Sequence, residues 1–182
     1  MNLTDRKKFF MRFLLPTSAA AAILAVSLHS SEPTDPLAPS KEMASQTRWV
    51  VNTINARHYL RDTMEKLDGK KMVEAYVESF DYSRMYFLHS DLEDFNFRFA
   101  DSMENILEKG NLYAAFEIYD GFKQIADART KWVFTRLQED WDFSSDASFA
   151  PDRREAEWPN SQQEADDLWE RRLKYELLNE LM

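Results

Sequence analysis

The sequence has no cysteine and only three glycines among its 182 residues. The absence of cysteine excludes disulfides, thiolate metal ligands and a lipid-modified N-terminal cysteine. So few glycines exclude a glycine-rich phosphate loop and a dinucleotide-binding fingerprint. None of them lies within two residues of a serine, which also excludes the nucleophile elbow of serine hydrolases. Only six prolines accompany them, and this composition favours helices over a turn-rich β architecture.

Metal-ligating patterns are also missing. The three histidines, His29, His58 and His89, do not have the i, i+4 spacing of a helical zinc site. Acidic residues at 140–146 resemble a calcium loop, but Ser145 stands where the loop needs glycine and Pro151 stands where it needs glutamate. We therefore predict no catalytic residue, no cofactor and no metal site in this chain.

The charge is acidic, with 23 basic and 32 acidic residues and a net charge of −9. Residues 1–27 contain four basic residues and one acidic residue, so the remainder carries 19 basic and 31 acidic residues, or −12. Such a surface repels phosphate backbones, and we predict that the chain does not bind nucleic acid.

The N-terminus has the pattern of an export signal, predicted over residues 1–27. Arg6, Lys7, Lys8 and Arg12 precede an uncharged run of 16 residues from Phe13 to Leu28, and Ala25-Val26-Ser27 supplies small residues for cleavage. The run is shorter than the ~20 residues of a membrane span. We therefore predict a periplasmic or exported protein whose only membrane contact is this signal. An uncleaved segment acting as an anchor is the alternative.

A proline-rich linker is predicted over residues 28–46, and the all-α part over residues 47–182. Apolar periodicity there predicts an irregular bundle of about five helices, the first from Thr47 to about Arg61. Asp68-Gly69 is expected to break the chain before a second helix, whose apolar residues run from Met72 to Phe80. Residues 81–84 are expected to form a turn and residues 85–88 a short buried connector. Ser90 with Glu93 predicts a capping box at the start of a helix that ends at Gly110. Ser161 with Glu164 predicts another. A long helix is expected from Leu112 to about Asp140, with Gly121 at a close contact between helices.

Aromatic residues make up 14% of the chain, and their simplest role is to fill seams between helices. If several are exposed together, they mark a docking face for a partner. The candidates for packing or docking are Trp49, Tyr86, Phe87, Trp158 and Trp169.

Several separated segments resemble the tail-specific proteases, also called carboxy-terminal-processing peptidases. Residues 81–95, Asp-Tyr-Ser-Arg-Met-Tyr-Phe-Leu-His-Ser-Asp-Leu-Glu-Asp-Phe, resemble a segment near the start of that family. His58-Tyr59, Asp142-Phe143, Asp152-Arg153 and the segment from Trp158-Pro159 to Leu178 resemble further parts, in the same order. The likeness covers about residues 46–182. The family's Asp-Pro-Asn turn is Asp81-Tyr82-Ser83 here.

The resemblance implies exported bacterial serine endopeptidases that recognise the C-termini of their substrates through a PDZ domain and cut with a Ser–Lys dyad. This chain resembles only their helical N-terminal domain, so no catalytic residue carries over and its own enzymatic status stays open. We predict a truncated or split non-catalytic domain whose partners are proteins: the missing PDZ and protease domains, an adaptor or a substrate. The alternative is a stand-alone exported helical protein-binding module.

Overall fold

The computed structural model describes residues 38–58, 67–144 and 147–181, and within these ranges the backbone forms helices and no strand. The six α-helices are α1 (Lys41–Arg57), α2 (Gly69–Phe80), α3 (His89–Phe99), α4 (Met103–Glu108), α5 (Tyr113–Arg136) and α6 (Gln162–Leu181). The prediction of an all-α fold is confirmed. In these ranges no helix combines the length and apolarity that crossing a bilayer requires. The predicted signal peptide and residues 28–37 of the predicted linker lie outside the described residues.

Helix α1 begins earlier than predicted, at Lys41 instead of Thr47. The hydroxyl of Ser40 caps it by accepting a hydrogen bond from the amide of Met43 at 3.2 Å, and this cap stabilises the first turn. The last residues of the predicted linker, 41–46, are therefore helical. Only Val51 of the 17 residues in α1 is buried. Helix α1 thus lies on the surface of the domain, where it packs against α4.

Helix α3 starts differently from the prediction. Leu88 occupies the N-cap position, and its amide donates a hydrogen bond of 2.8 Å to the carboxylate of Asp91. The predicted capping box of Ser90 with Glu93 is therefore wrong, because the chain enters the helix one residue before Ser90 and the reciprocal acid is Asp91. At the start of α6 the prediction is confirmed in part. The hydroxyl of Ser161 accepts a hydrogen bond of 3.2 Å from the amide of Glu164, as a capping box requires. The carboxylate of Glu164, however, accepts a hydrogen bond from the amide of Asn160 instead of that of Ser161.

The helix predicted from Ser90 to Gly110 is divided by a 3-10 turn at Ala100–Ser102. This turn lies where α2 begins, and a Cβ on Gly69 would overlap the carbonyl group of Ala100. Helix α2 packs against both α3 and this 3-10 turn. The close approach requires a residue without a side chain, so Gly69 serves helix packing as well as the chain break expected at Asp68-Gly69.

Two buried clusters hold the helices together. The larger lies among α2, α3, α4 and the first half of α5, and it consists of Val73, Val77, Phe87, Leu92, Phe95, Phe99, Met103, Ala114, Ile118 and Trp158. The smaller lies against α6 and consists of Met85, Leu168 and Trp169, with Tyr86, Trp132, Val133 and Phe149 packed around it. Both clusters include residues of the connector between α2 and α3, which the sequence predicts to be buried.

Gly110 and Gly121 have opposite roles. Gly110 ends α4 with a positive φ of 67°, and a Cβ there would overlap the carbonyl group of Ala44 in α1. A Cβ on Gly121 would meet only the ring of Phe95, at an ordinary contact of 3.6 Å. The close helix contact predicted at Gly121 is therefore absent, and the close contact lies at Gly110.

We predict that Gly110→Ala lowers the free energy of unfolding by more than ~1 kcal/mol, because alanine is strained at positive φ and displaces α1. The matched change Gly121→Ala should raise it by roughly 0.5–1 kcal/mol, since alanine favours a helix interior. Urea unfolding followed by circular dichroism measures both. Equal effects of the two changes would contradict this assignment.

Candidate functional site

The carboxylate of Asp81 organises residues 81–88, the connector between α2 and α3, which we call the turn. Asp81 is 1% exposed, and it accepts hydrogen bonds from the amides of Met85, Tyr86 and Phe87 at 2.8, 2.9 and 3.1 Å. Three consecutive amides point toward this carboxylate, and those of Met85 and Phe87 belong to buried residues that water does not reach. A buried carboxylate needs several donors to offset its lost hydration, and the connector supplies them.

A segment from the far end of the chain closes over this turn. The indole N–H of Trp158 donates to Asp81 at 3.3 Å, and the amide of His89 donates to the carbonyl of Pro159 at 2.9 Å. The guanidinium of Arg153 donates to the carbonyl of Ser83 at 3.2 Å. Residues 153–159, which we call the strap, are thus tied to the turn at several points.

Arg84 fastens the strap from the other side. Its guanidinium lies 4.4 Å from the centre of the Trp158 ring and donates to the carbonyl of Ala156 and to Glu78, both at 2.6 Å. The backbone of Arg84 is left-handed, with φ 51°. Such a conformation is unfavourable for a residue with a Cβ, and these contacts compensate for it.

Helix α6 is clamped to the same connector through its first half. The indole N–H of Trp169 donates to the carbonyl of Met85 at 2.7 Å. On the neighbouring helix α5, buried Arg129 pairs with Asp166 of α6 at 2.6 Å and lies over the rings of Trp132 and Trp169. A buried guanidinium is tolerated only with such partners. Ala165, Leu168 and Trp169 are the buried residues of α6.

The second half of α6 has no buried residue in the described range. Tyr175 and Leu178 are 36% and 44% exposed, and Leu173, Leu177 and Leu181 are half-buried. Tyr175 has a ring contact with Phe149 at 5.7 Å. We call the surface formed by Tyr175, Leu177 and Leu178 the α6 face. It is a partly exposed apolar surface, of the kind that partners cover.

The predicted packing or docking aromatics lie in different environments. Phe87, Trp158 and Trp169 are buried, and Tyr86 is half-buried against Phe122 and Trp169. Trp49 is 69% exposed on α1. The structure therefore brings Tyr86, Phe87, Trp158 and Trp169 together around the turn and leaves Trp49 apart. A docking role for Trp49 stays a prediction.

Sequence reasoning missed Asp81 and Arg84, which it assigned only to a turn. An aspartate that ends a helix and precedes an apolar connector is a signal for capping of nearby amides. The bond to Trp158 spans 77 residues, and no local pattern reveals it. In the described ranges no group of three His, Asp or Glu side chains is placed to hold a metal ion.

Comparisons with known proteins identify a family whose model matches most of this chain. A family model described as "Tail specific protease N-terminal domain" matches residues 50–182. The tail-specific protease of Haemophilus influenzae is 24% identical over 140 residues, which are 77% of this chain and 20% of that protein. The chain therefore spans about a fifth of the length of this relative. The residues that the family model matches include the turn, the strap and α6.

We predict that Asp81→Ala lowers the free energy of unfolding by about 3 kcal/mol or more, because three buried amides and an indole N–H lose their acceptor. The exposed control Asp127→Asn should change it by less than about 0.5 kcal/mol. Thermal and urea unfolding measure the difference. Acetate or formate should partly restore the Asp81→Ala variant, since a small carboxylate fits the vacated donors. Destabilisation no larger than that of the control would refute the role of Asp81.

The Glu170 carboxylate provides a pH test of the clamp between α5 and α6. The hydrogen bond from Arg136 at 3.0 Å lowers the pKa of Glu170 below its ordinary value of 4.5, and Lys174 lowers it further. A lowered folded-state pKa contributes stability that is present above about 4.5 and is lost as the pH falls through the folded value. Glu170→Gln should therefore flatten the decline of stability below pH 4.5, as measured by thermal unfolding across pH. An unchanged acid limb would contradict this contribution.

Proposed function

Because the chain belongs to the family of tail-specific protease N-terminal domains, we propose that it is a non-catalytic, exported helical domain that docks through its α6 face onto the body of a tail-specific protease. The α6 face is the observation that carries this proposal. One helix is fixed over its first half by Trp169 and Arg129, while its second half presents apolar side chains without a buried residue. A stiff helix with a partly exposed apolar face is suited to holding another domain in a fixed orientation.

The chemistry of the domain supports a non-catalytic role. In the ranges that the structure describes, the serine hydroxyls of Ser40, Ser45, Ser79, Ser102 and Ser161 are hydrogen-bonded to backbone groups or to arginine, and none is hydrogen-bonded to a lysine amine. The buried polar groups, Asp81 and Arg129, are held by structural partners. The chain also covers only a fifth of its relative, so the protease activity in that relative's name need not lie in the matched part.

Export is proposed from the sequence of residues 1–27, where a basic segment precedes an uncharged run. The location that this implies is the periplasm, in line with the exported family that the chain resembles. The stand-alone binding module is the second candidate, and it is favoured by the 69% exposure of Trp49, an aromatic residue that the α6 face does not include.

We predict that the full chain binds in trans to a tail-specific protease from which the N-terminal domain has been deleted, as measured by isothermal titration calorimetry. Leu178→Glu should weaken binding about tenfold or more, because a charge at the centre of an apolar contact must be desolvated. The control Phe134→Glu alters a residue that is 58% exposed on α5 and should leave the affinity unchanged. Equal effects of the two variants would contradict docking through the α6 face.

Catalysis by the chain itself is a separate test. The purified full chain should not hydrolyse peptides with apolar C-termini. Turnover that a single serine substitution abolishes would overturn the non-catalytic assignment. A chain that does not bind the protease body but retains another protein partner through Trp49 would instead favour the stand-alone module.

A further inference from the structure

Helix α1 presents an apolar and basic surface that the proposed docking through α6 does not use. Trp49, Val50 and Met43 are 69%, 45% and 43% exposed. Tryptophan is enriched among the residues that dominate protein interfaces, and its exposure on an isolated surface helix is unfavourable unless a partner covers it.

An apolar groove of about 220 Å³ lies among α2, α4 and the start of α5. Its wall includes Met72, Tyr76, Ile106, Leu107, Leu112 and Ile118. A cavity of roughly 150 Å³ is sufficient for benzene, so this groove has room for an indole ring. It therefore matches Trp49 in size and in polarity.

The charges of the two surfaces are complementary. Helix α1 contains three basic residues and one acidic residue, or +2. Residues 58–182 contain 16 basic and 28 acidic residues, or −12. Of the helices that form the groove, α4 carries Glu104 and Glu108 and no basic residue, and α2 carries two lysines and two glutamates. A basic helix is thus attracted to the body of another copy of the same acidic chain.

The positions of α1 and the groove also allow a symmetric dimer in which both contacts form at once. Helix α1 packs against α4, and the groove is lined by Met103, Ile106 and Leu107 of the same helix α4. Because both surfaces adjoin one element, a single two-fold axis near α4 can place the α1 of each copy over the groove of the other. An isologous contact of this kind closes after two copies.

We propose that two copies of this chain associate through α1, with the Trp49 side chain of each copy inserted into the groove between α2, α4 and α5 of the other. Neither α1 nor the groove includes a residue of the α6 face, so the contact is a separate proposal from docking onto a protease body. Its strength falls with ionic strength, since part of the attraction is between opposite net charges.

The absence of native cysteine provides a direct test. Full-length chains carrying Gln46→Cys, one turn from Trp49, are mixed with chains carrying Met72→Cys at the groove and are mildly oxidised. Each chain then has one thiol, so every disulfide joins two chains. Mass spectrometry should find the mixed 46–72 disulfide about tenfold above the 46–46 and 72–72 products. A statistical mixture, or a majority of 46–46 product, would overturn the proposal.

Two further variants test whether cross-linking depends on Trp49 itself or on the loss of any exposed aromatic side chain. Trp49→Ala in the Gln46→Cys chain should lower the yield of the mixed disulfide about tenfold, because it removes the side chain that fills the groove. Tyr82→Ala, a change at a residue that is 63% exposed in the turn, is the matched control and should leave the yield unchanged. Circular dichroism of every variant checks its fold. A folded Trp49→Ala variant with full cross-linking would also refute the insertion.

Discussion

The fold depends on one buried carboxylate. Asp81 ends α2 and accepts three consecutive backbone amides, so it fixes the course of the connector that leads into α3. The same carboxylate accepts the indole of Trp158, which brings in the strap from the far end of the chain. A neutral apolar residue at this position leaves all four donors without an acceptor, and the low dielectric of the interior makes that loss severe.

The connector also joins the two buried clusters. Phe87 belongs to the larger cluster with Val77 and Ile118, whereas Met85 belongs to the smaller cluster with Trp169. A shift of one residue along the connector would exchange the sides on which these chains lie. The hydrogen bonds to Asp81 set this register, and the bond from Trp169 to the carbonyl of Met85 fixes α6 to it. The position of α6 therefore follows from the geometry of the turn.

Local patterns predicted the parts of the structure that local interactions determine. The apolar spacing of α2, the cap at Ser161 and the buried connector were all predicted from neighbouring residues and are confirmed. The early start of α1 depends on Ser40, within a proline-rich segment that suggested an extended chain.

The remaining features depend on contacts between distant residues. Asp81 meets Trp158 across 77 positions, and Arg84 meets Ala156 across 72. The interruption at Ala100 lies where the start of α2 approaches it. Trp49 and Trp169 occur in similar helical patterns, yet one is exposed and the other buried, because tertiary packing decides which face of a helix is covered. The α6 face became definable only once the buried half of the helix was known.

The division of α6 into a held half and an open half has a mechanical consequence. Its 20 residues extend about 30 Å, and a continuous hydrogen-bonded helix transmits displacement along its axis with little bending. A load applied beyond Tyr175 would turn the helix about the anchor formed by Trp169 and Arg129. The motion would reach Met85 through the indole bond, and from there the amides that surround Asp81. Helix α6 would thus act as a lever that pivots at Trp169 and Arg129 and passes its motion to the turn around Asp81.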